Sequence, residues 1–172
     1  MPFSLIPKHQ FHALSDITPA FLQAHHIRWL LMDFDNTIVP YIENEPTKAI
    51  CDWIDTMKNS GIHLCIVSNT KRRRAPDFGE RYGIFCITHA KKPFSKGIRA
   101  AQRQYGFYKN EAALVGDQIY TDVLGANCAG IQSILVTAIN NHNIWLKLRH
   151  MAELPFIWVG KVRLKHEKRG KI

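Results

Sequence analysis

Two aspartates one residue apart, Asp33 and Asp35, close an apolar run in the stretch WLLMDFDNTIVPY, Trp29 to Tyr41. Burying an unpaired carboxylate is costly. Two acids at the mouth of a core segment therefore ask for a chemical reason. Three further polar stations follow in order: VSNT with Ser68, Asn69 and Thr70, KKP with Lys91 and Lys92, and GDQIYTD with Asp117 and Asp122. Together they suit phosphoryl transfer. A carboxylate can attack phosphorus and carry the group as an acyl phosphate. The charge on the phosphoryl oxygens then needs a cation and hydrogen-bond donors. Clustered carboxylates around a hard, oxygen-ligated ion fit Mg2+, and without an ion Asp33, Asp35 and Asp117 would repel one another.

Other readings of the same residues stand beside this one. An EF-hand loop starting at Asp33 fails, because Ile38 stands where the sharp turn needs glycine and Asn44 where the bidentate Glu belongs. A receiver domain also uses clustered acids and a lysine, but gives no reason for DxDNT. Asp33 and Asp35 as a plain turn, Ser68-Asn69 as a plain turn and Lys92 as a surface lysine are the bland alternatives. Asn36 and Thr37 read as residues that shape the loop.

The elements that must position these stations alternate. Arg28–Met32 reads as a strand and Pro46–Ser60 as a helix, with Ile50, Trp53, Ile54 and Met57 at i, i+3, i+4, i+7 and Gly61 as a stop. Ile62–Val67 is a second strand, Pro76–Tyr82 a helix ending at Gly83, and Ile84–Ile87 a third strand. Ser95–Tyr105 is a helix closed by Gly106, Ala112–Val115 a fourth strand, Ile119–Ala129 a helix before Gly130, and Ser133–Val136 a fifth strand. Strands alternating with helices imply an α/β fold, a parallel five-stranded sheet covered on both faces. Such open sheets bind ligands outside the carboxyl ends of their strands. Asp33 and Asp35, the SNT station and the GDQIYTD station all fall on that edge.

The 172 residues fit one domain with flanking extensions. Cys51, Cys65, Cys86 and Cys128 form no CxxC pair, which speaks against a zinc site or disulfide framework and for free thiols in a reducing compartment. The nine histidines show no ligand spacing, and His25-His26 reads as surface. MPFSLIPKHQ lacks the charged start and apolar core of a secretory signal, and no apolar run reaches the roughly 20 residues of a bilayer span. The net charge of +9 is uneven. Residues 1–140 carry 15 Lys/Arg against 12 Asp/Glu, whereas residues 141–172 carry 8 against 2. Such a basic block serves an anionic membrane surface or nucleic acid, or is only a solvated tail.

The four stations in this order resemble the haloacid dehalogenase (HAD) superfamily of phosphatases, over about residues 28–137. The first station is the specific one; SNT or KP alone would be weak. The resemblance implies a Rossmann-like HAD fold with Asp33 as nucleophile and Asp35 as general acid/base. It implies that Ser68 hydrogen-bonds the phosphoryl group and that Lys92 neutralises charge, with Lys91 as the substitute. It further implies that Asp117 ligates Mg2+ with Asp33 and the backbone carbonyl of Asp35, and that Asp122 supports the metal. LLMDFDNTIVPY, VSNTKRRR, AKKP, VGDQIYTDVLGAN and WLKLRHMAE look like the YqeG-type branch of capless HAD phosphatases. Relatives of that branch include phosphatidylglycerophosphate phosphatases. The chain departs from it in DFDNT for the commoner DLDNT and in the basic stretch Lys161–Lys171.

The organisation expected is an N-terminal extension with a short helix (1–27), the HAD phosphatase core (28–140) and a basic amphipathic C-terminal extension (141–172). Asp33 and Ser68 are separated by 34 residues and Ser68 and Lys92 by 23, too few for an inserted cap domain of roughly 50 residues. The site is therefore expected to be open. In capless members that goes with phosphate carried on a large body: protein, nucleic acid or lipid surface. Asn69, Thr70, Arg73 and Arg74 are the candidate substrate contacts, the arginines lying in KRRR (Lys71–Arg74), where cations raise the local concentration of an anionic substrate. Ile144, Trp145, Leu148 and Met151 give an apolar face that suits an interfacial helix or one packed on the sheet. The leading function is Mg2+-dependent phosphomonoester hydrolysis on a phospholipid head group at an anionic membrane. The competitors are a phosphatase for nucleic acid or protein and a non-catalytic assembly factor of the same fold. The expected location is the cytoplasm, peripheral to a membrane, or the mitochondrial matrix in a eukaryote.

Overall fold

The computed structural model describes residues 4–43 and 45–140. The amphipathic pattern Ile144–Met151 and the stretch Lys161–Lys171 lie outside the described residues. The strands are β1 (His9–Gln10), β2 (Trp29–Met32), β3 (His63–Val67), β4 (Phe85–Ile87), β5 (Ala112–Gly116) and β6 (Gln132–Leu135). The α-helices are α1 (Pro19–Ala24), α2 (Lys48–Asn59), α3 (Arg74–Tyr82), α4 (Lys96–Tyr105) and α5 (Leu124–Ala129). The sheet runs β1-β6-β5-β2-β3-β4 with every pairing parallel. The α/β fold with a parallel sheet flanked by helices is as the alternation predicts.

Among the described residues the sheet has six strands where five were expected. β1 pairs with β6 through His9↔Ile134 and Gln10↔Leu135, adding an edge strand. Two residues carry no periodicity, so no local pattern announces β1. A second difference lies at Ile119–Ala129. The single helix expected there opens as one wide π-turn, Ile119–Val123, before α5.

Side-chain alternation along the strands builds two cores. Leu30, Met32, Leu64, Ile66, Ala113 and Val115 face one way and pack with Ile50, Trp53, Ile54 and Met57 of α2 and Phe78 of α3. Leu31, Cys65, Val67 and Leu114 face the other way and pack with Ile98 and Ala101 of α4 and Ala126 and Ala129 of α5. Each fully buried aliphatic side chain is worth about 1.5–3 kcal/mol over leaving it in water. Strands buried on both faces read as continuous apolar runs, as WLLM and HLCIV do. The Thr47 hydroxyl accepts from Ile50 N–H at the start of α2. The four cysteines are free. Among the described residues no helix is long and apolar enough to cross a membrane.

Candidate active site

The register β5-β2-β3 brings the ends of three strands side by side, and the loops that leave them carry the polar stations. Asp33 follows β2 directly and its N–H donates to the Val115 carbonyl at 2.9 Å, fixing it against β5. The chain then folds back. Asn36 takes φ +61, a left-handed conformation that asparagine tolerates. Its N–H donates to the Val39 carbonyl (2.7 Å) and its side-chain oxygen accepts from Tyr41 N–H (3.1 Å). Phe34 is buried edge-on against Phe78 of α3, which anchors the turn between the two aspartates.

Lys92 is the centre of the charged cluster. Its side chain is buried, with Nζ 2.5 Å from Asp33 Oδ1 and 2.7 Å from Asp122 Oδ1. Burial by itself would push this ammonium down, but the Asp122 and Asp33 carboxylates outweigh it and hold the pKa above the ordinary lysine value. The backbone of Lys92 is pinned by Asn69, whose side-chain oxygen accepts from Lys92 N–H (2.7 Å) while its amide donates to the Lys92 carbonyl (3.0 Å). Asn69, expected as a substrate contact, is thus a brace between the second and third stations. Lys91, with φ +55, is exposed.

Asp33, Asp117 and Asp122 each offer a carboxylate oxygen, and these three oxygens lie within 4.8 Å of one another. Burial, followed by the charges of Asp122 and Asp33, pushes the Asp117 carboxyl up to about 8. Burial also raises Asp122, with Asp33 adding to the rise and Lys92 opposing it. Three largely buried acids outnumber the one ammonium among them. An oxygen-only donor set with that excess fits a hard divalent cation. Thr37 donates to Asp117 Oδ1 at 3.4 Å, and Gln118 N–H donates to Asp122 Oδ2 at 3.1 Å, so two of the acids are also oriented by neighbours.

The remaining expected residues divide. Ser68 is buried at the end of β3, its Oγ accepting from Thr70 N–H at 3.1 Å. Thr70 Oγ1 accepts from Arg72 N–H at 3.2 Å. The Asp35 carboxylate stands apart from the three clustered acids. Arg74 Nη1 lies 2.7 Å from Asp35 Oδ1, and the same guanidinium donates to the carbonyls of Tyr41, Pro40 and Glu43. Arg74, expected to touch substrate, therefore holds the first loop. Burial raises the Asp35 pKa, Arg74 opposes the rise, and the net direction is up. Arg73 is exposed and pairs with Asp77 one turn along α3 at 3.4 Å.

One residue of the site escaped the sequence reading. A Cβ on Gly116 would sit 2.3 Å from the Asp122 carboxyl, so only glycine lets Asp122 reach the cluster. The signal was a glycine directly before Asp117 at a strand end, a place where a backbone packs closely on something.

A family model described as HAD-hydrolase-like matches residues 89–146. The "Probable phosphatase YqeG" of Bacillus subtilis (strain 168) is 37% identical over 132 residues, covering 77% of this chain and 74% of that protein. Among solved structures, an uncharacterized protein from Listeria monocytogenes serotype 4b aligns with TM-score 0.55 at 19% identity, over 69% of this chain and 85% of that one. The cobalt-bound deoxy-D-mannose-octulosonate 8-phosphate phosphatase of Haemophilus influenzae aligns with TM-score 0.52 at 12% identity, over 73% and 75%. At those identities the two structures share the fold with this chain.

Proposed function

From the premise that this chain belongs to the YqeG-type phosphatases of the HAD superfamily, we propose a Mg2+-dependent phosphomonoesterase that works through an aspartyl-phosphate on Asp33 and acts on a phospholipid head group such as phosphatidylglycerophosphate. The observation that carries the chemistry is the Lys92 ammonium set between Asp33 and Asp122, with Asp117 in the same cluster.

In this reading an Asp33 oxygen attacks phosphorus and the bond to the leaving alkoxide breaks. Asp35 gives that alkoxide its proton. Burial moves the Asp35 pKa upward, the direction a proton donor needs. Asp35 then takes a proton from water as the water oxygen attacks phosphorus, releasing inorganic phosphate and restoring the Asp33 carboxylate. Lys92 neutralises charge beside the nucleophile, and Ser68 offers its hydroxyl to a phosphoryl oxygen. Asp33, Asp117 and Asp122, with the backbone carbonyl of Asp35, are the groups that would hold the ion. When bound, Mg2+ supplies charge neutralisation for the phosphoryl oxygens.

The lipid assignment is supported by openness and by the family resemblance. Among the described residues, the chain between Asp33 and Lys92 holds only α2, β3, α3 and β4, all parts of the core layers. A head group held on a membrane can approach such an edge. The basic segment 141–172 is proposed to add attraction to the anionic surface. The test is phosphate release from phosphatidylglycerophosphate and from p-nitrophenyl phosphate, with Mg2+ and with chelator. Mg2+-dependent release from both is expected. Release from the soluble ester alone would remove the lipid substrate, and release from neither would remove the enzyme.

A further inference from the structure

Among the described residues six large apolar side chains are exposed. Phe85 opens β4 and Tyr108 precedes β5, at the amino ends of their strands. The other four gather at the opposite, carboxyl edge. Tyr41 (53% exposed) and Ile42 (84%) follow β2, Phe94 (74%) follows β4, and Ile139 (44%) follows β6. These loops form one platform. Arg74 ties the loop of Tyr41 to α3, Ile139 N–H donates to the Asn36 carbonyl at 2.9 Å, and Asn69 clamps Lys92 two residues before Phe94. Lys71, Arg72 and Lys91 are exposed on the same edge, and the Arg72 guanidinium lies 5.8 Å from the centre of the Tyr41 ring. Apolar exposure concentrated on one edge, with Lys71, Arg72 and Lys91 exposed there against the one acid Glu43 next to Ile42, marks an interaction surface.

We propose that this rim docks the open site on an anionic phospholipid bilayer. Ile42, Phe94 and Ile139 enter the boundary between head groups and acyl chains, Tyr41 sits at that boundary, and Lys71, Arg72 and Lys91 meet lipid phosphates. The occupant follows from the mixture. Single-stranded nucleic acid would reward cations and ring faces, but the aliphatic side chains of Ile42 and Ile139 offer no ring to stack on a base. Acyl chains reward aliphatic and aromatic burial alike. The docking surface rests on the lipid-substrate reading for its purpose: it would bring Asp33 to the depth at which a head-group phosphate lies.

The experiment compares the full chain with its Ile42→Ser/Phe94→Ser double variant, neither position belonging to the catalytic cluster. Co-sedimentation uses phosphatidylcholine/phosphatidylglycerol vesicles that contain no phosphomonoester lipid, so binding is read without turnover. The basic C-terminal segment is present in both proteins and cancels. The double variant is expected to bind these vesicles at least about tenfold more weakly, given the apolar area removed. Its melting temperature and its activity on p-nitrophenyl phosphate are expected to stay unchanged. Equal vesicle binding by the two proteins overturns the proposal, as does a loss confined to a single-stranded RNA oligonucleotide. The two readings separate cleanly. Weakened vesicle binding without turnover of phosphatidylglycerophosphate by either protein sustains the docking surface and removes the substrate. Turnover of that lipid in detergent micelles with equal vesicle binding does the reverse.

Discussion

Arg74 Nη1 lies 2.7 Å from Asp35 Oδ1, a contact across 39 residues of sequence that joins the first turn of α3 to the loop after β2. The side chains are 17% and 23% exposed, so the pair is partly shielded from solvent. The same guanidinium holds the carbonyls of Tyr41, Pro40 and Glu43. Arg74 thus positions the residue proposed as general acid/base and the segment that follows it.

Arg74→Ala is expected to lower kcat and to move its alkaline limb to higher pH. Arg74 pulls the Asp35 pKa down against burial, so its loss lets that pKa rise further. A pH–rate profile on p-nitrophenyl phosphate reads both effects. Lost activity with an unmoved limb would make Arg74 a brace for the loop alone.

Asp33→Asn is expected to reduce turnover by several orders of magnitude, because an amide cannot form the acyl phosphate. Lys92 keeps Asp122 at 2.7 Å in this variant, so folding is expected to persist. Steady-state kinetics beside a thermal melt tests this. A folded variant with near-native kcat would remove the covalent mechanism.

Gly116→Ala is expected to push Asp122 out of place, since the new Cβ would lie 2.3 Å from its carboxyl. Disturbing a ligand or its support weakens metal binding by about 10–100-fold. The Mg2+ concentration for half-maximal activity should rise by that order. An unchanged value would show that Asp122 lies outside the metal site.

The buried acids also set a pH dependence. Asp117 is held up to about 8 against an ordinary 3.8, so the folded protein keeps a proton that the unfolded chain has lost between those values. That contribution to stability is full below 3.8 and disappears as pH rises through about 8. The metal-free protein should therefore melt at lower temperature as pH is raised toward 8, with respect to this group. Mg2+ needs the ionised carboxylate and displaces that proton. The rise in melting temperature on adding Mg2+ should accordingly grow with pH. A rise that is constant or shrinks across the series would mean that Asp117 does not hold the ion.

Much of this molecule was legible locally. Ile50, Trp53, Ile54 and Met57 repeat at the helical period and are the buried face of α2. Gly83 (φ +60) and Gly106 (φ +73) stand where α3 and α4 stop, because a left-handed residue ends a helix and glycine takes that conformation without strain. The apolar runs that end in Asp33, Ser68 and Asp117 are the central strands, and their parallel order puts those residues on one edge. Period, stop signals and strand-end chemistry are written in neighbouring residues, and a sequence can carry them unaided.

What the tertiary structure alone decided is which charges meet. Lys91 and Lys92 are adjacent and chemically alike, yet Lys91 is exposed while Lys92 reaches Asp33 and Asp122. Arg74 reads like its neighbours in KRRR, yet its guanidinium is the one that lies 2.7 Å from Asp35, while Arg73 pairs with Asp77. β1 exists only because β6 offers it an edge, and Gly116 matters only because Asp122 packs onto it. Periodicity states which face a residue takes within its own element. Pairing between groups 30 to 60 residues apart depends on strand register and on loop turns such as that at Asn36, which decide which carboxylates the one buried ammonium meets.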